Sequence, residues 1–234
     1  MVLLGSIVNG VCILAGSFLG KFLTRIPEGI KGTVMQTIGL AVIVLGLQMG
    51  LKSQDFLTVI LSLVIGTIIG ELLRLEEKLN QVGGWLERKM GGNNGSSSIS
   101  QGFVTATLIF VIGAMGIIGA LDSGIRGNHE VLFTKAMIDG FTALILTTTL
   151  GIGVIFSAIP VFVYQGAIAL FATQIYRFIP EPLMDAFIVE MTAVGGIMIF
   201  AIGTNILELT KVRVANLLPS LLVVGVIVTF HYMF

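Results

Sequence analysis

Six polar residues stand within or at the edges of long apolar stretches: Asn9, Asp122, Asp139, Gln165, Glu190 and Asn205. An ionisable group at the centre of a bilayer costs at least about 2.5 to 3.5 kcal/mol on insertion scales, so one kept there has a use or a partner. Carboxylates and amides together supply oxygen ligands and N–H donors. That chemistry suits the binding and release of a proton, a small cation or a zwitterionic solute. Glu190 is the acid expected deepest, about two turns after Pro182, or about 12 Å along a helix. It is expected to act as a carboxylate switch that exchanges a proton for a bound cation. Asp122 and Asp139 fall near the expected ends of their spans, where a solvated interfacial role competes with a place in a pathway. Gln36, Gln48 and Thr147 to Thr149 add further polar groups to the spans.

The elements that position these groups follow from composition. The 234 residues are 55% hydrophobic and 11% charged, with thirteen basic residues balancing thirteen acidic ones. An ordinary soluble domain carries about 25% charge. The mean hydropathy of +1.02 points the same way, to an integral membrane protein. Uncharged runs at 1–20, 32–51 and 90–121 are long enough for helical crossings of about 20 residues, and one of 37 residues separates Asp139 from Arg177. The runs lack the alternation of barrel strands. Spans are expected at about 2–20, 32–51, 56–75, 102–121, 138–158, 160–176, 183–207 and 214–232. The 37-residue run is divided at Ser157-Ala158-Ile159-Pro160, where proline opens the next helix.

Beyond the third span, Leu72, Leu75, Leu79, Val82 and Leu86 form one helical stripe with charges opposite, and Trp85 suits the headgroup level. Residues 91–101 have linker composition. The organisation expected is a first repeat with an interfacial helix at 1–90, a linker at 91–101, inserted helices at 102–158 and a second repeat at 159–234. The repeat rests on a short gapped match: Ile26-Pro27-Glu28 with Ile179-Pro180-Glu181, Met35 with Met191, Gly39 with Gly195, Gly46 with Gly203 and Gln48 with Asn205. Spans one to three would then recur, inverted, as six to eight, an arrangement usual among alternating-access transporters.

Glycine spacing supplies the packing rule. In lipid, apolar surface does not draw helices together, so close backbone contact through small residues does. Gly16 with Gly20, Gly66 with Gly70, and Gly113, Gly116 and Gly119 suit such seams, and one seam is expected to join a homodimer. The pair Gly195-Gly196 is the expected place for a helix to unwind beside a pathway. The positive-inside rule places the N-terminus outside: Lys21, Arg25, Lys31, Arg74, Lys78, Arg88, Lys89, Lys211 and Arg213 then face the cytoplasm, against Lys52, Arg126, Lys135 and Arg177. Eight spans return the C-terminus to the same outer side.

Other functions have little to stand on in this sequence. Cys12 is the single cysteine, so no internal disulfide is expected, and with two histidines no metal site is expected either. The balanced charge leaves no footprint for nucleic acid. No histidine lies deep in a span to serve a nucleophile, and His129-Glu130 is followed by Phe133 where a zinc-protease helix needs a second histidine. No Walker A loop is present. The expectation is a non-enzyme with no cofactor.

The order IGAMGIIGALDSG (112–124), KAMIDGF (135–141), GIGVIFSAIPVFVYQG (151–166), the glycine pair with GTN (195–205) and VANLLPS (214–220) resembles a bacterial multi-pass family known only as a domain of unknown function, YdfK/YqgA-like. The resemblance runs over nearly the whole chain and implies a helical protein of the bacterial inner membrane. It supplies no substrate. One departure is Ala114, where the family pattern has proline, so the resemblance does not carry a proline-broken helix to that point. Together these observations predict an all-α membrane protein of about eight helices, with a three-helix inverted repeat and two inserted helices. The expected function is a secondary transporter or channel-like protein for an unidentified small solute or ion, with coupling to protons or sodium. A non-transporting scaffold or partner subunit is the competing reading.

Overall fold

The computed structural model describes residues 1–23, 28–89 and 98–233. Regular structure among the described residues is helical: α1 (Leu4–Phe22), α2 (Glu28–Gly50), α3 (Phe56–Leu73), α4 (Leu75–Lys89), α5 (Ser98–Val111), α6 (Ala114–Ile125), α7 (Glu130–Leu150), α8 (Ala158–Phe178), α9 (Glu181–Ile206) and α10 (Ser220–Met233). Tight 3-10 turns at Ile152–Ser157 and Val214–Leu217 precede α8 and α10. Among the described residues seven segments are long and apolar enough to cross a membrane, and the α5–α6 pair makes an eighth if its two parts form one span. Most of the expected linker, 91–97, and the Ile26-Pro27 part of the repeat match lie outside the described residues.

Three local features differ from expectation. The break in the 37-residue run falls at Gly151, whose φ of 82° favours a residue without Cβ, and not at Ser157–Pro160. Pro160 sits in the first turn of α8, where its missing N–H costs no helical bond. The span before the break therefore begins at Glu130 rather than 138, and Asp139 is the tenth of its 21 residues, mid-helix and not at an end.

The second difference is the site of helix breakage. Gly195 and Gly196 lie in an unbroken α9 of 26 residues. The bend is instead at Gly113, with φ 156°, where α5 and α6 meet at 61°. Gly113 was expected to pack in a seam, but nothing lies within 4 Å of the Cβ position it lacks. Its role is the bend, and no proline is needed for it.

The third difference concerns the amphipathic stretch, which is separated from α3 by Arg74 in a left-handed conformation (φ 51°). Helix α4 then starts afresh with Glu76 and Glu77 in its first turn and Arg88 and Lys89 in its last, each sign at the end its dipole favours. Trp85 is half exposed and carries the Lys89 ammonium over its ring at 5.0 Å, as suits a headgroup-level helix.

The chain forms two compact units, the first of Met1–Gly32, Asn80–Val111 and Met115–Arg177, the second of Thr33–Leu79, Ile112–Ala114 and Phe178–Phe234. In the first unit α1 lies along α7. Gly5 faces Leu132, Gly16 faces the Gly140 carbonyl and Gly20 faces Leu144, so the two helices run parallel. Gly119 lies against Leu132 and Gly124 against Ala169, which sets α6 antiparallel to α7 and parallel to α8.

In the second unit α2 runs antiparallel to α9, with Gly46 against Gly196 and Gly39 against Leu207 and the backbone near Gly203. Helix α3 packs on the turn before α10, with Gly66 against Ser220 and Gly70 against the Asn216 carbonyl. The glycine faces of α1 and α3, expected as dimer seams, are thus filled inside the protomer. The reason is geometric: a glycine face admits a neighbouring backbone, and here a helix of the same chain supplies it. Gly195, for its part, receives the side chain of Ile112.

Candidate functional site

The first unit encloses an ionic cluster. Lys135 and Asp139 are one turn apart on α7, and this i,i+4 spacing lays the ammonium over the carboxylate. Lys135 Nζ donates to Asp139 Oδ2 at 2.6 Å, with both side chains more than nine-tenths buried. Asn9 of α1 reaches the same oxygen, its Nδ2 donating to Asp139 Oδ2 at 3.0 Å and to Gln165 Oε1 of α8 at 3.1 Å. Asn9 and Gln165 are fully buried. Three of the six residues singled out in the sequence, Asn9, Asp139 and Gln165, therefore meet at one point. The parallel course of α1 and α7 puts Asn9 beside Asp139.

The residue that sequence reasoning missed is Lys135, which it counted as an outer loop charge. The signal was present in the Lys-x-x-x-Asp spacing, which neutralises both charges inside a helix. Gly116 of α6 closes the cluster on another side, with Lys135 Cε, Gln165 Nε2 and Tyr164 around its missing Cβ at 3.4, 3.7 and 3.8 Å. Gly116 thus lines the cluster as well as packing there, while Gly119 serves packing alone.

The cluster leaves polar capacity unused among the described residues. Asn9 Oδ1 and Gln165 Nε2 are buried without a hydrogen-bond partner. Lys135 spends one donor of three on Asp139. Buried polar atoms are nearly always paired, so each exception needs an explanation. Six of the seven such side-chain atoms, from Ser6, Asn9, Ser17, Thr107, Thr147 and Gln165, belong to the first unit. The polarity is concentrated there and not spread evenly.

Glu190 stands elsewhere. Buried on α9, it accepts from Ser53 Oγ at 2.6 Å and from the backbone amides of Gln54 and Asp55 at 2.9 and 3.0 Å. It thereby holds the turn between α2 and α3. Asp55 then caps α3, accepting from the Leu57 and Thr58 amides and the Thr58 hydroxyl. Chiefly that hydroxyl, then the two amides and His231, hold the Asp55 carboxyl below its ordinary value despite partial burial. Glu190→Ala is expected to cost about 1–3 kcal/mol by leaving the Gln54 and Asp55 amides unpaired, with Glu190→Gln intermediate. Thermal unfolding in detergent measures both, and an alanine variant as stable as the parent would remove this role.

The remaining candidates are also placed. Asn205, at the end of α9, bridges the following loop: its Oδ1 accepts from Val212 N and Thr210 Oγ1, and its Nδ2 donates to the Val212 carbonyl. Asp122 is a quarter exposed and pairs with Arg126 at 3.5 Å near the end of α6. Among the described residues no group of three or more His, Cys, Asp or Glu is arranged to hold a metal ion.

The sequence pattern of a family described as protein of unknown function (DUF554) matches residues 4–229. The chain belongs to this family. Its relatives include the uncharacterized membrane protein YdfK of Bacillus subtilis (strain 168), 34% identical over 229 residues that cover 96% of this chain and 95% of the relative. A second is the uncharacterized protein YqgA of Escherichia coli (strain K12), 30% identical over 223 residues, 94% and 93% of the two chains. No solved structure matches. As a member of DUF554 the chain is a multi-pass membrane protein with bacterial relatives, and the function must be argued from the cluster itself.

Proposed function

We propose that the protein is a secondary transporter or channel-like protein for a small solute or ion, with its binding site at Asn9, Lys135, Asp139 and Gln165. The single observation that carries this reading is a buried, charge-neutral ion pair flanked by two buried amides with unpartnered polar atoms. A pair kept only for packing would be costly in a membrane, where apolar residues of similar volume serve as well. The test is electrical recording and tracer flux in proteoliposomes across amines, amino acids, organic acids and inorganic ions. Flux of at least one solute is the expected result. A protein that moves none, while folded, reverts to the reading of a scaffold or partner subunit.

Architecture supports the reading at two points. With α2 and α3 each crossing, α7 runs parallel to α1 only if α5 and α6 together make a further crossing, which gives eight. The inverted repeat draws support from the second unit, where the matched helices α2 and α9 pack antiparallel. There the contacts of Gly46 with Gly196 and of Gly39 with the Gly203 region are near-equivalents under the proposed exchange. The proposed site draws Asn9 from the first repeat and Gln165 from the second, while Lys135 and Asp139 come from an inserted helix.

Both termini are placed outside in this proposal. Removing buried Lys135 from the outer count changes the loop bias from nine against four to nine against three, strengthening it. Single cysteines at Asn94 and Lys52 in a Cys12→Ser background test it with an impermeant thiol reagent. Lys52→Cys should label from outside intact cells and Asn94→Cys only after lysis. The opposite pattern would invert the topology.

A further inference from the structure

The cluster sorts its unused polar atoms by kind. Donors gather beside Gly116, where Gln165 Nε2 has no partner and, like the Lys135 side chain, lies within 4 Å of the Cβ position that glycine lacks. Acceptors gather around Asp139, where Asn9 Oδ1 has no partner and the carboxylate already draws Lys135 and the Asn9 amide. The fixed charge of the site sums to zero. A bound cation or anion would leave a net charge buried at membrane depth, whereas a molecule carrying both charges would not.

Resting on the transport reading above, we propose that the site takes a small zwitterion bearing an ammonium and a carboxylate group, of the size of glycine or alanine. Its carboxylate is held by Lys135 Nζ and Gln165 Nε2, and its ammonium by Asp139 and Asn9 Oδ1. The solute inserts its two charges between those of Lys135 and Asp139, so each charged group keeps an opposite partner and the two orphan amide atoms gain one. Gly116 stands where these groups meet: a Cβ there makes only ordinary contact with Lys135, Gln165 and Tyr164, while a larger side chain would press on the groups that hold the solute.

The experiment uses the purified full chain in detergent and follows its unfolding temperature with glycine, alanine, ethylamine or propionate added. Ligand that binds only the folded state raises that temperature with concentration. Glycine and alanine should give the rise, and ethylamine and propionate should not. The shift should survive Gly116→Ala and vanish in Gly116→Val, whose fold is checked by its own cooperative unfolding transition without solute. Counterflow of labelled glycine in proteoliposomes should follow the same order. Stabilisation by ethylamine or propionate in place of the zwitterions overturns the assignment and leaves the transport reading intact. Absence of any shift together with absence of glycine counterflow also overturns it, and a flux panel silent for every solute removes the transport reading itself. A zwitterion shift that persists in Gly116→Val places the binding elsewhere and overturns the site.

Discussion

Lys135→Met alone, or Asp139→Leu alone, is expected to destabilise the protein by about 3–5 kcal/mol, because either leaves an unbalanced charge in a buried site. The remaining partner is more than nine-tenths buried and has only the Asn9 amide, or nothing, to answer it. The double variant removes both charges together and should recover most of that loss, since an apolar pair of similar volume is often neutral or better. Unfolding measured in detergent for the two single variants and the double one completes the cycle. The double variant should also be inactive in every flux assay that the parent supports. Folded and inactive is the outcome that separates a working pair from a structural one. Full activity in the stable double variant would take Lys135 and Asp139 out of the pathway.

The second large effect is expected at the glycine contacts. In Gly16→Leu the new side chain would meet the backbone of Gly140, and in Gly70→Leu that of Asn216. Neither backbone can move without shifting a whole helix, so a loss of more than about 3 kcal/mol, or failure to fold, is expected for each. Gly84→Leu is the control: nothing lies within 4 Å of its Cβ position, and within helix α4 the change should be neutral or slightly stabilising. Expression level and size-exclusion profile report both. A folded Gly16→Leu protein that merely separates into smaller species would restore the dimer seam that the sequence suggests.

Parts of this protein are readable from sequence alone because their causes are local. The membrane class follows from the scarcity of charge, and the span count from run lengths set against a bilayer of fixed thickness. The order of glycine and polar motifs carried the family. The stripe from Leu72 to Leu86 marked the amphipathic helix, although its separation from α3 at Arg74 depends on one backbone torsion that leaves no trace in periodicity.

The candidate site depended on contacts between distant segments. Asp139 and Lys135, read singly, mark the edge of a span, since an isolated charge is excluded from hydrocarbon. Paired at one helical turn they are neutral and lie in its middle. Glu190 is as deep along its helix as expected, yet its oxygens are occupied by the Ser53 hydroxyl and the Gln54 and Asp55 amides, groups 135 to 137 residues away in the chain. Glycine spacing assigned Gly113 to a seam and Gly195 to a break, and the tertiary structure reversed the two: Ile112 lies over Gly195 within an unbroken α9, whereas Gly113 has nothing within 4 Å of its missing Cβ and sits at the bend. Sequence thus determined which residues can enter a membrane as helices. The tertiary structure decided which of the described polar groups are satisfied there and which are left without a partner, because a hydrogen bond needs two partners and only the fold brings the second one near.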